Sequence, residues 1–123
     1  MKDRKQQQKF LQTAPAVRED EKLAHQLQGA VETLQERVAD DPVVLATLPK
    51  CVKFRNLLRQ LLRELGTVEA AADKGEPLPR DFNPAKAEAL IAEWQKARVA
   101  FLADQKKNHE YLETLALRVL RPR

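Results

Sequence analysis

The chain has no serine, one cysteine, three glycines and one tryptophan in 123 residues. Each scarcity closes off some chemistry. Nucleophilic catalysis needs a Ser, Cys or Thr beside a base. Without serine the nucleophile would have to be Cys51 or a threonine, and Cys51 falls on an apolar repeat where a thiol packs as core. Three glycines do not build a phosphate-cradling loop. A single cysteine forms no intrachain disulfide, which fits a reducing compartment. No stretch approaches the roughly 20 apolar residues of a membrane helix. The opening MKDRKQQQKF lacks the apolar run of a signal peptide, so a cytoplasmic location is expected.

Histidine is equally scarce. His25 has no metal-ligand spacing around it. His109 and Glu113 lie one turn apart, but two ligands do not make a zinc site, and the pair reads as an exposed ion pair. The carboxylates lie among lysines and arginines on polar faces, without the contrasting environments that split two pKa values for acid–base work. No enzyme, cofactor, metal or small-molecule substrate is expected.

Leucine and alanine supply most of the apolar mass. With aromatics at only 5% this favours helices over sheets. Charged residues make up 33%, above the usual quarter, as on densely ion-paired helix faces. The net charge of +4 is uneven. Lys2, Arg4, Lys5 and Lys9 make one end basic, Arg118, Arg121 and Arg123 the other, and the middle is slightly acidic.

Residues 1–16 read as a flexible basic arm, with a QQQ run and a helix-breaking Pro15; Phe10 and Leu11 are its only docking candidates. Residues 17–123 read as one helical domain. The first helix runs from 17 to about 39, with Leu23, Leu27, Ala30, Leu34 and Val38 on one face and Val31 beside them. Glu19, Asp20 and Glu21 would favour its positive N-terminal end. Gly29 suggests a point of close helix approach. Asp41-Pro42 reads as a cap and first position, opening a short helix that ends before Pro49.

The clearest helix spans 50 to about 73. Cys51, Phe54, Leu58, Leu61, Leu65, Val68 and Ala72 alternate steps of three and four, a complete heptad seam. Leu57 and Leu62 widen it to roughly 140°, enough to touch two partner helices. Gly75 is placed to end this helix in a left-handed conformation, and Pro77 and Pro79 stiffen the loop. Asn83-Pro84 caps the next helix. That helix is unbroken by proline until Pro122. Its seam carries Trp94 and Phe101 as core but turns polar at Gln105 and Asn108, so ADQKKNHE is the expected kink or break. If straight, the helix would outreach its neighbours and protrude.

The fold class read from this pattern is all-α: an antiparallel three-helix bundle with a short extra helix and a long, kinked or protruding C-terminal helix. The expected function is that of a non-enzymatic interaction protein, such as an adaptor, inhibitor, regulator or assembly factor, acting by protein contact or self-association. Its docking or oligomer surface would be the apolar tail, Tyr111, Leu112, Leu115 and Val119. Arg55, Arg59 and Arg63 step by four along the face opposite the leucine seam. With Arg118 and Arg121 they form the candidate site for a partner or for phosphate. The alternative function is accessory nucleic-acid binding, as in a phage packaging or DNA-transaction factor, with the ridge and the basic ends gripping the backbone. No aromatic platform for stacking bases is apparent.

Overall fold

A computed structural model describes residues 2–120, with side chains from residue 4 onward. It consists of three helices of almost equal length, α1 (Lys2–Arg37), α2 (Pro42–Lys74) and α3 (Pro84–Val119). At 1.5 Å per residue each is roughly 50 Å long.

The chain runs up, down and up, with α2 packed against both neighbours and α1 touching α3 along only part of its length. Long-range pairs fix the directions. Lys9 bonds Glu88 at 2.8 Å and Asp20 accepts from Trp94 at 2.9 Å, so α1 and α3 are parallel. Arg18 pairs with Glu69 and Arg55 with Glu21, so α2 is antiparallel to α1.

Residues 2–16 are not the flexible arm expected from the sequence. They form the first turns of α1, and Phe10, Ala14 and Val17 are fully buried. Phe10 meets Phe82 edge-on, with ring centroids 5.9 Å apart. Pro15 lies inside the helix with its ring exposed. Proline removes one N–H, leaving the Leu11 carbonyl without its intrahelical donor. Flanking apolar side chains anchored in the core, each stabilising by about 1.5–3 kcal/mol, offset a local cost of about 3 kcal/mol.

Pro49 behaves in the same way. The expected short helix is instead the start of α2, which runs through Pro49 without interruption, the ring again exposed. Val44 and Thr47 extend the buried seam upstream of Cys51. The seam then follows expectation through Phe54, Leu58, Leu61, Leu65 and Val68, closing on Ala71 with Ala72 half-buried.

The caps are those read from the sequence. Asp41 accepts from the Val43 and Val44 N–H groups, each at 3.0 Å. Gly75 is left-handed at φ 66°, and its N–H and that of Glu76 reach the last carbonyls of α2. Asn83 accepts from Lys86 N–H at 3.2 Å.

α3 is continuous through ADQKKNHE, so the expected kink or break is not observed. It does not outreach its neighbours either, because α1 begins fifteen residues earlier than expected and α2 absorbs the short helix. The core comes in two parts. One contains Phe10, Phe54, the α2 leucines, Trp94 and Phe101, with Phe54 stacked on Phe101 at 4.4 Å. The other contains Val31, Leu34, Val44, Leu112 and Leu115.

Candidate functional site

Between these two cores α1 and α3 stand apart and leave a cleft of about 440 Å³. Leu23, Leu27, Val31 and Leu34 form one wall, while Phe101, Leu112, Ala116 and Leu120 form the other. Thr47 of α2 floors it, its hydroxyl donating to the Val43 carbonyl at 2.7 Å. The surface is mostly apolar.

The position of the cleft follows from the sequence. Gln105 and Asn108 interrupt the apolar seam of α3 and line the cleft. Amides there cannot enter a dry contact without losing hydrogen bonds, and the opposing residues of α1, Ala30 and Thr33, are too short to bridge the gap. Leu23 and Ala30 therefore lie on the cleft rather than in the sealed core that their spacing suggested, Leu23 half-buried and Ala30 exposed. An ion pair and a close histidine–glutamate contact edge the opening. Lys50 meets Asp104 at 2.9 Å and His109 meets Glu113 at 3.1 Å.

Above the cleft a polar node joins α1 to α3. Asp20 is 5% exposed, and its Oδ2 accepts from both Trp94 Nε1 and Arg98 Nε at 2.9 Å. Asp20 and Glu21 were expected to favour a helix N-terminus. With α1 starting at Lys2 they are mid-helix, and they reach across to other helices instead.

The arginine ridge divides. The Arg55 side chain is only 12% exposed. Its Nε and Nη2 donate to Glu21 Oε1 at 3.1 and 2.9 Å, and Nη1 donates to Gln28 at 2.8 Å. Glu21 Oε2 is buried with no hydrogen-bond partner among the described residues. Arg55 is thus a tie between helices. Arg59 and Arg63 are exposed and have no ion-pair partner among the described residues.

The apolar tail of α3 is covered by its own bundle only in part, and Leu117 and Leu120 stay exposed. Leu112 and Leu115 are buried in the second core and Val119 packs beside them, with Leu112 also on the wall of the cleft. Tyr111 remains 45% exposed, and its hydroxyl donates to Asp41 Oδ2 at 2.5 Å. That bond, the two backbone N–H groups and the nearby Arg118 together hold the Asp41 carboxyl below its usual value. The same bond raises the Tyr111 phenol. Arg118 is exposed, and Arg121 lies outside the described residues. Since α1 and α3 are parallel, Arg4, Lys5 and Lys9 at the start of α1 and Arg118 at the end of α3 lie at opposite ends of the bundle.

Cys51 is fully buried, and burial pushes its thiol up to about 11. Among the described residues no group of three or more His, Cys, Asp or Glu side chains is placed to hold a metal ion. No helix among them is long and apolar enough to cross a membrane.

The cleft was missed from sequence, although its signal was present: polar Gln105 and Asn108 on an otherwise apolar seam. No family model matches the chain, and comparison with curated proteins and with solved structures gave no significant match.

Proposed function

We propose that the protein is a non-enzymatic interaction module, an adaptor, inhibitor, regulator or assembly factor, that takes the apolar face of a partner's helix into the α1/α3 cleft. The observation that carries this reading is the division of the core by an apolar cleft walled by two parallel helices and backed by a third. A groove of this form suits a helix that inserts side chains at i, i+3, i+4 and i+7, since a fourth helix would complete the packing that α1 and α3 leave unfinished. An extended strand would find no sheet edge here. The Lys50–Asp104 pair at the rim and the mostly apolar walls favour an occupant that is apolar and neutral along its contact stripe.

Ala30→Trp tests the proposal, because Ala30 is exposed on the lip of the cleft and its replacement obstructs the opening without entering the core. Cross-linked partners recovered with the native chain should be lost with Ala30→Trp and kept with Ala103→Trp, on the solvent face of α3. Equal recovery with both variants would refute the cleft as the site. Light scattering over a dilution series identifies the occupant as a second copy if mass rises with concentration in the native chain and not in Ala30→Trp.

A further inference from the structure

From Pro42 to Arg63 the chain has no aspartate or glutamate, whereas a stretch of that length at the chain's overall acidic density carries about three. The same stretch holds five cations. Lys50 and Arg55 are matched by carboxylates from the flanking helices, Asp104 and Glu21. Lys53, Arg59 and Arg63 are exposed and have no ion-pair partner among the described residues.

Leu45, Val52, Arg59 and Arg63 have a definite arrangement. At 100° per residue all four fall within roughly 40° of one another, on a stripe roughly 27 Å long. Leu45 is 46% and Val52 41% exposed. The stripe is therefore apolar over its first half and cationic over its second, on the side of α2 turned away from both α1 and α3. Neither Trp94 nor Phe101 lies on this face, so bases would have nothing to stack on. Exposed aliphatic side chains in line with the arginines suit a protein partner better than a phosphate backbone.

We infer that the solvent face of α2 is a second docking surface, for a partner helix with apolar side chains along one half of its contact stripe and carboxylates along the other. Leu45 and Val52 provide the apolar contact, and Arg59 and Arg63 provide bidentate donors for carboxylates. The inference does not depend on the cleft, which opens on the other side of the molecule.

The probes are fluorescent helical peptides of about 20 residues with leucines over one half of a face and glutamates over the other, made in both polarities. Anisotropy at low salt should show saturable binding for one polarity. Arg59→Glu with Arg63→Glu should weaken it at least about tenfold, a change of about 1.4 kcal/mol, as should Val52→Asp. A peptide with lysine in place of glutamate should regain affinity for the charge-reversed protein. These positions are exposed, and circular dichroism checks that each variant folds. Ala30→Trp should leave peptide binding unchanged. The inference is overturned if neither peptide saturates, if the charge reversals have no effect, or if Ala30→Trp abolishes binding. It is also overturned if random duplex DNA binds through the same arginines more tightly than either peptide.

Discussion

Asp20→Ala should destabilise the bundle measurably, although it removes only three heavy atoms. The native Oδ2 accepts from Trp94 Nε1 and Arg98 Nε, both at 2.9 Å. Trp94 is 7% exposed, so its indole N–H would be left buried without a partner. That alone costs about 1–3 kcal/mol. The Arg98 side chain is 46% exposed and would turn to water, so its loss adds less than about 1 kcal/mol. The expected total is about 1–4 kcal/mol, and about 1 kcal/mol for Asp20→Asn, which keeps a neutral acceptor. Trp94 is the only tryptophan, so its emission in a urea titration reports the node directly. The midpoint should fall while the m-value is unchanged. In the Trp94→Phe background, with both backgrounds followed by circular dichroism, Asp20→Ala should cost at least about 1 kcal/mol less, since the orphaned donor is gone. An equal cost in both backgrounds would show that the indole bond is not what Asp20 contributes.

Cys51 should be inert to thiol reagents in the folded protein and react only at the rate of unfolding, as measured by labelling across a denaturant series. Because its folded value is raised to about 11, the stability linked to it is present below the unfolded thiol value and is lost as pH rises through about 11. Asp41 shifts in the opposite direction. Its depressed carboxyl contributes stability above its unfolded value, lost as pH falls through the folded value. Tyr111→Phe removes the largest cause of that depression, so acid unfolding followed by circular dichroism should begin at higher pH; an unchanged profile would refute the role of Tyr111. Gly29→Ala should stabilise the isolated protein by about 0.5–1 kcal/mol in thermal or urea unfolding, because a Cβ there meets nothing within 4 Å. That open space also shows that Gly29 is not the point of close helix approach suggested by the sequence.

Much of the fold was legible in advance where the signal is local. The α2 seam, the caps at Asp41, Gly75 and Asn83, and the core positions of Cys51, Trp94 and Phe101 follow from spacing and backbone chemistry within a few residues. Pro15 and Pro49 misled for the complementary reason. Proline carries a strong local penalty, and its presence as a helix boundary can be overruled only by contacts made elsewhere. Phe10, Ala14 and Val17 on α1, and Val44, Thr47 and Cys51 on α2, provide those contacts. Once α1 is lengthened, Asp20 and Glu21 cease to be capping charges and become interhelical ones.

The candidate site was less legible. The sequence by itself determined that Gln105 and Asn108 break the apolar seam of α3, and that Arg55, Arg59 and Arg63 share a ridge. Only the tertiary structure decided that the polar residues line a cleft beside an unbroken helix, and that Arg55 is tied to Glu21 while Arg59 and Arg63 remain exposed. Helical period and capping depend on residues within a turn or two of each other. The fate of a polar gap or an exposed cation depends on what stands opposite it, and here those neighbours come from other helices, 34 residues away in the case of Glu21 and Arg55.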